Sequence, residues 1–99
     1  MEVVEHVYFW GKAEELEKMA DAYAQSGDLK RVQEEEGCLC FDFYRSADCP
    51  EKMLLLERWK SDACLERHHE TQMMANLMAL IEQYGFELKG EKFFTEGQA

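Results

Sequence analysis

The chain begins with a segment whose alternating positions are apolar on both sides. The odd-numbered positions include Val3, Val7 and Phe9, and the even-numbered positions are Val4, His6, Tyr8 and Trp10. Successive strand side chains point to opposite faces, and a strand that is apolar on both faces is usually covered on both. The pattern predicts a strand over residues 3–10, with helices on one side and another subunit on the other.

The polar and apolar positions then change to a helical period. From Lys12 onward, apolar residues recur one turn apart at Leu16, Met19, Ala20 and Tyr23. This spacing predicts an amphipathic helix, which residues 26–28 interrupt. Asp28 is suited to cap a second helix that runs to Glu35 and ends at Gly37. The acidic run 34–36 is unfavourable near the carboxyl end of that helix, so we expect it to face solvent.

Alternation returns in two segments that flank a turn. Residues 38–45 carry Leu39, Phe41 and Phe43 on one face, and Cys38, Cys40, Asp42 and Tyr44 on the other. Residues 53–59 carry Met53, Leu55, Glu57 and Trp59 on one face, and Leu54 and Leu56 on the other. The intervening residues are turn formers and include the only proline, Pro50. The two segments are therefore predicted to form a β-hairpin.

Two further helices are predicted after the hairpin. Ser61 is suited to cap a helix over residues 63–69, and Thr71 is suited to cap the next one. The apolar stripe of the latter runs through Met73, Leu77, Leu80, Ile81 and Tyr84. Gly85 follows and supplies the stop.

The order of these elements predicts the fold. Residues 86–94 add a last strand, and residues 95–99 are predicted to form a loose tail. Strand, helix, strand, strand, helix, strand is the order of a ferredoxin-like α+β fold, with a four-stranded antiparallel sheet and helices on one face. We expect residues 1–99 to form a single domain, because a second core needs a longer chain. The uncovered apolar face predicts a homodimer formed through the sheet faces.

Composition narrows the classes of partner. The 21 acidic and 11 basic residues give a net charge of −10, which repels nucleic acid and anionic lipid. No apolar run is long enough for a membrane span, and the first residues do not resemble a secretion signal, so we expect a cytoplasmic protein. The four cysteines are accordingly expected to be reduced thiols, and their spacing matches no metal site.

One stretch of about 40 residues resembles the antibiotic biosynthesis monooxygenase family. It consists of Glu36-Gly37-Cys38-Leu39, then Phe41, Tyr44, Arg45, Asp48 and Pro50, then Glu57-Arg58-Trp59-Lys60-Ser61, Leu65 and His68. The resemblance rests on the acidic-Gly-Cys-Leu start of the second strand, the Glu-x-Trp that ends the third, and a His nine residues after the Trp.

The resemblance implies a dimeric α+β barrel, in which each subunit keeps a pocket between its sheet and its helices. Members include cofactor-free oxygenases of polycyclic phenols, quinol monooxygenases, haem-degrading enzymes and an isomerase of a small signalling sugar derivative. Where relatives often have a second His or an aromatic residue, this chain has Met73 and Met74. The haem-degrading relatives have an Asn in the first strand, whereas the only Asn here is Asn76.

The candidate catalytic residues are His68 and Trp59. Imidazole exchanges protons near neutral pH, so His68 is either the base of the site or a buried structural histidine. The Trp59 indole offers a flat wall and one N–H donor to an aromatic substrate, or else anchors the core. Cys64 lies one helical turn before His68, a spacing that would also suit a thiolate-imidazole pair, although a small core thiol is the simpler interpretation.

Four residues are candidates for binding the substrate: Tyr44, Glu57, His6 and Met73. Glu57 interrupts an apolar strand, so either Arg58, Arg45 or a backbone donor satisfies it, or its pKa rises. His6, with Tyr8 and Trp10, lines either the pocket or the dimer interface.

We therefore expect a cofactor-independent monooxygenase that oxidises a quinol or polycyclic phenol with molecular oxygen, without a metal ion. An isomerase or other proton-transfer enzyme acting on a small metabolite is one alternative. A non-catalytic, ligand-binding dimeric module is another.

Overall fold

A computed structural model describes residues 1–95 as a four-stranded sheet with four helices. The elements are β1 (Glu2–Trp10), α1 (Ala13–Gln25), α2 (Asp28–Gln33), β2 (Cys38–Arg45), β3 (Lys52–Trp59), α3 (Asp62–His69), α4 (Gln72–Tyr84) and β4 (Glu87–Thr95). Every predicted element is present, with its ends shifted by at most two residues. Thr95, the first residue of the predicted tail, belongs to β4, and the rest of that tail lies outside the described residues.

The sheet has the order β2-β3-β1-β4, and all of its pairings are antiparallel. β1 and β3 are therefore the central strands, although residues 11–51 separate them in the sequence. Their register places Val3 opposite Trp59 and Phe9 opposite Met53. This topology confirms the predicted ferredoxin-like α+β fold.

The core lies between the sheet and the helices. The sheet contributes Val3, Phe9, Phe41, Met53, Leu55 and Trp59, and the helices contribute Leu16, Met19, Tyr23, Val32, Cys64, Leu65, Leu77 and Ile81. These positions follow the predicted alternation of β1 and β3 and the predicted stripes of α1 and α4. Burial of these side chains is the main force that fixes the helices on this face.

Two local predictions are wrong. Leu39 does not share the inner face with Phe41, because a β-bulge between Cys38 and Cys40 leaves it 49% exposed. Asp28 does not cap α2, which begins after Gly27 at φ +89°. The Asp28 carboxylate instead accepts hydrogen bonds from Arg31 at 3.0 Å and from Asn76 in α4 at 2.8 Å.

No helix within residues 1–95 covers the opposite face of the sheet. The outer side chains of the two central strands are largely aromatic or aliphatic, and Phe93 on the edge strand β4 extends this surface: Val4, His6, Tyr8, Trp10, Leu54, Leu56 and Phe93. Within residues 1–95, no helix has the length and apolar character needed to cross a membrane.

Candidate functional site

The Trp59 and His68 side chains meet at the junction between β3 and α3. Trp59 ends β3, and Ser61 caps α3 by accepting a hydrogen bond from the backbone N–H of Cys64 at 3.3 Å. The capped helix folds back over the sheet, so that His68, near its end, lies on Trp59. The ring centroids are 4.9 Å apart and the planes are inclined by 29°. Both side chains are 0% exposed.

The two nitrogens of His68 have different surroundings. Nδ1 lies 2.8 Å from Oε2 of Glu35, whereas Nε2 is buried without a hydrogen-bond partner in the described part of the chain. Burial lowers the pKa of His68 below its usual value, and the opposing attraction of Glu35 does not reverse this shift. His68 is therefore a neutral imidazole at physiological pH, and it has one unused nitrogen.

Glu35 was not among the residues singled out from the sequence. The prediction that the whole acidic run faces solvent is wrong at Glu35, whose side chain is only 16% exposed and hydrogen-bonds to His68. Its neighbours Glu34 and Glu36 are exposed, as predicted. Three carboxylates beside the negative end of a helix are unfavourable without a partner. This acidic run is the feature of the sequence that could have indicated a partner for Glu35.

Glu57 lies at the N–H edge of the indole. Trp59 Nε1–H donates a hydrogen bond to Oε1 of Glu57 at 3.0 Å, and Glu57 is only 3% exposed. Glu5 lies directly opposite Glu57 in the ladder between β1 and β3. Burial raises the pKa of Glu57 to about 8, the indole N–H opposes this shift, and the Glu5 carboxyl adds to it.

Neither arginine proposed as a partner of Glu57 reaches it. Arg58 pairs with Glu2 at 2.8 Å, and Arg45 pairs with Glu17 at 3.1 Å. With neither arginine beside it, and with the indole N–H as its described donor, Glu57 has the second of the outcomes considered, in which burial raises its pKa. At neutral pH the buried Glu57 is thus a carboxylic acid, while His68 nearby is an unprotonated base.

The other candidates lie apart from the stacked rings. His6 is on the outer face of the sheet, with its ring centroid 5.4 Å from that of Phe93. Tyr44 is also on that face, opposite Leu54, and is 45% exposed. Met73 packs against the inner core, at the start of α4.

The Cys64 thiol does not pair with His68. It accepts hydrogen bonds from Ser61 Oγ at 3.3 Å and Arg67 Nη2 at 3.2 Å. The Ser61 hydroxyl, with help from the Arg67 guanidinium, lowers the pKa of the thiol. All four cysteines are free thiols.

The stacked rings fill the space between the sheet and α3. The best-formed clefts of the described residues have volumes of about 210 to 290 Å³, and Trp59, Glu57 and His68 line none of these. The expected pair of rings is therefore present, but in this conformation the rings contact each other and no open pocket separates them.

The chain matches the sequence model of one protein family, and its fold is similar to that of many solved structures. The sequence model of the antibiotic biosynthesis monooxygenase family matches residues 2–80. No functionally curated protein matches the chain.

Three solved structures illustrate the similarity of fold. A conserved protein of unknown function from Bacteroides thetaiotaomicron is 24% identical, with a TM-score of 0.81 over 93% of this chain and 95% of that one. A protein from Deinococcus radiodurans whose name refers to the same family is 17% identical, with a TM-score of 0.83 over 98% and 94%. A conserved protein from Methanosarcina mazei is 19% identical, with a TM-score of 0.82 over 94% and 91%. At these identities the similarity establishes the fold alone.

Proposed function

Because the chain belongs to the antibiotic biosynthesis monooxygenase family, we propose that it is a cofactor-independent monooxygenase that oxidises a quinol or polycyclic phenol with molecular oxygen. One observation carries the proposal. A neutral, buried imidazole with an unpartnered nitrogen lies against an indole ring. This combination suits removal of a phenolic proton from a flat substrate.

The proposed chemistry needs no electron donor besides the substrate. His68 removes a phenolic proton, and the electron-rich phenolate reduces oxygen and forms a carbon–oxygen bond to it. The protonated His68 returns its proton to the resulting peroxide, which becomes a hydroperoxide. The hydroperoxide then loses the hydrogen on the same carbon as a proton to the neutral His68, its O–O bond breaks, and a carbonyl forms. One oxygen atom remains in the product, and the other leaves as water. The substrate supplies all four electrons.

Glu57 is suited to the second proton transfer. The departing hydroxide needs a proton, and Glu57 is the group that holds one at neutral pH. We assign His68 as the base, Glu57 as the acid, and Trp59 as the residue that orients the substrate ring. The acid and the base both contact the Trp59 indole, Glu57 at its N–H and His68 on its ring face.

Substrate entry requires the two rings to separate, because both are fully covered. Met73 is suited to make room. Its side chain is only partly buried, and an unbranched thioether adapts readily to a new neighbour. Met73 is connected to His68 through two aromatic side chains. Its carbonyl accepts a hydrogen bond from Tyr23 at 2.7 Å, the Tyr23 ring adjoins Phe41, and Phe41 contacts His68.

We assign the outer face of the sheet to a second copy of the chain. His6 lies on the central strand β1 with Phe93 beside it on the edge strand β4, and Tyr44, 45% exposed, lies on the opposite edge strand, β2. Light scattering should give the mass of a dimer, and Phe93→Glu should give a monomer because it buries an unpaired charge in the contact. A monomeric parent protein would contradict this assignment.

Oxygen consumption tests the enzymatic proposal. The purified protein, incubated with a panel of hydroquinones, should consume one oxygen molecule per product. His68→Ala should reduce kcat by about 10²- to 10⁴-fold, the usual contribution of a general base. His69→Ala, which removes the exposed neighbouring imidazole, should change kcat less than about twofold. Equal rates for the parent protein and His68→Ala would exclude His68 as the base.

The full coverage of both rings favours a second candidate, the non-catalytic dimeric module. It predicts no turnover of any substrate, and a Trp59→Phe variant that still folds and dimerises. The presence of a buried acid beside a buried base also suits an isomerase, which needs proton transfer alone. Product formation under strict anaerobiosis would favour the isomerase over the monooxygenase.

A further inference from the structure

Glu35 occupies an unfavourable position in two respects. Its carboxylate follows the carboxyl end of α2, where the helix dipole repels negative charge, and it is mostly withdrawn from water. The adjacent Glu34 and Glu36 do not lose their contact with water, because both are exposed. A compensating interaction is therefore required at Glu35, and the described contact is the one to His68 Nδ1 at 2.8 Å.

The turn after Glu35 holds it against α3. Gly37 has φ +81°, and its carbonyl accepts a hydrogen bond from the Lys60 N–H at 2.7 Å. A Cβ atom at Gly37 would lie 2.3 Å from Cys64 Sγ, so only glycine permits this approach. Cys64 is one helical turn before His68, and this close docking brings the Glu35 carboxylate to the imidazole.

The hydrogen-bonding capacity of the two groups decides where the imidazole proton resides. A carboxylate only accepts hydrogen bonds, so Nδ1 must be the donor. A neutral imidazole has one N–H, and Nε2 then keeps its lone pair. The other titratable groups around the ring are His69 on the same helix and Glu5 on β1, and the ring's flat neighbours, Trp59 and Phe41, are uncharged.

We propose that Glu35 is a positioning residue that holds His68 in the tautomer protonated on Nδ1, so that Nε2 is the nitrogen that accepts the substrate proton. The tautomer follows from the contacts alone, and its catalytic use rests on the proposed function. Because a histidine base works through one nitrogen in one orientation, loss of this contact removes the base without removing the imidazole.

Nitrogen-15 NMR of the histidine side chains tests the tautomer in the intact protein without any substrate. The His68 signals are assigned by their loss in a His68→Gln variant. At a pH above the titration of His68, they should show a protonated Nδ1 and an unprotonated Nε2. Glu35→Ala should shift the signals toward the other tautomer or a mixture of the two. Glu34→Ala is the matched control from the same acidic run, and should leave the spectrum unchanged. A parent protein protonated on Nε2, or a Glu35→Ala spectrum identical to that of the parent, would overturn the proposal.

Glu35→Gln provides a second readout if Glu35→Ala does not fold. The amide keeps the shape of the side chain and removes its charge, so His68 should titrate at a lower pH than in the parent. An unchanged titration would show that the carboxylate does not act on His68, and would overturn the proposal.

Kinetics separate this inference from the proposed function. If hydroquinones are turned over, Glu35→Ala should lower kcat by on the order of 100-fold with little change in KM, and Glu34→Ala should not. Undiminished kcat in Glu35→Ala would reject the positioning role even though the enzyme works. Absence of turnover by the parent protein would reject the proposed function, and the NMR result would still decide whether Glu35 sets the tautomer.

Discussion

The two halves of the helix-covered sheet face are equally buried, but one of them contains two groups that can ionise. Toward one end of β1 and β3 lie Phe9, Met53 and Leu55, which are at most 4% exposed. Toward the other end lie Glu57 and His68, which are just as deeply buried but can ionise. Apolar groups of similar volume are often as stabilising as buried polar ones, or more so. The comparison indicates that the apolar half maintains the fold, and that stability alone does not account for the polar half.

The largest expected effect on stability is in the apolar half. Phe9→Ala should lower the free energy of unfolding by about 3 to 5 kcal/mol, because it leaves a cavity beside Phe43 and Phe86 that the core cannot close. Urea denaturation measures the loss. Leu88→Ala is the control, since Leu88 is opposite Phe9 in the ladder but 42% exposed, and should cost no more than about 1 kcal/mol. Equal losses would mean that the apolar half is not the stabilising centre.

A smaller effect, dependent on pH, is expected at Glu57. Its pKa is about 8 in the folded chain, against 4.5 for an unperturbed glutamate side chain. Between these values the folded state holds a proton that the unfolded state has released, so stability falls as pH rises from 4.5 to 8.

Glu57→Gln removes this dependence. The variant should be more stable than the parent by about 2 to 4 kcal/mol at pH 9, and not more stable at pH 4. Urea denaturation at the two pH values gives the difference. Glu82→Gln, an exposed glutamate on α4, should show neither effect. A pH-independent difference between Glu57→Gln and the parent would contradict the buried acid.

The smallest expected change is at the indole N–H. Trp59→Phe keeps an aromatic ring on His68 but removes the hydrogen bond to Glu57, and should cost about 1 to 2 kcal/mol at neutral pH. The same change should raise the pKa of Glu57 further, since that hydrogen bond lowers it. Infrared spectroscopy of the protonated carboxyl group as a function of pH measures the shift. A Glu57 titration that moves to lower pH would contradict the assigned contact.

The sequence predicts most of this fold because local signals agree with each other. Alternation in β3 places Glu57 and Trp59 on the buried face, and the capping residues Ser61 and Thr71 mark where α3 and α4 begin. The bulge at Leu39 is missed because simple alternation assumes that no extra residue interrupts the ladder. Asp28 is missed because its tertiary partner, Asn76, lies in a distant helix.

The site is less accessible to sequence reasoning than the fold. Trp59 ends β3 and His68 lies in α3, the next element after a short turn, and the family motif already relates the two residues. The contact between Glu35 and His68 spans 33 positions and depends on how closely Gly37 docks on Cys64. The choice between an ion pair and a raised pKa at Glu57 depends on where Arg58 and Arg45 find other partners, which the residue pattern alone does not specify.

A crystal structure of the protein with a bound hydroquinone, prepared without oxygen, is the most direct test of the polar half as a catalytic site. We predict that the Trp59 and His68 rings separate, that the hydroquinone ring lies against the indole, and that one phenolic oxygen is within hydrogen-bond distance of His68 Nε2. A hydroquinone bound elsewhere, with the two rings still stacked at saturating ligand, would contradict this assignment.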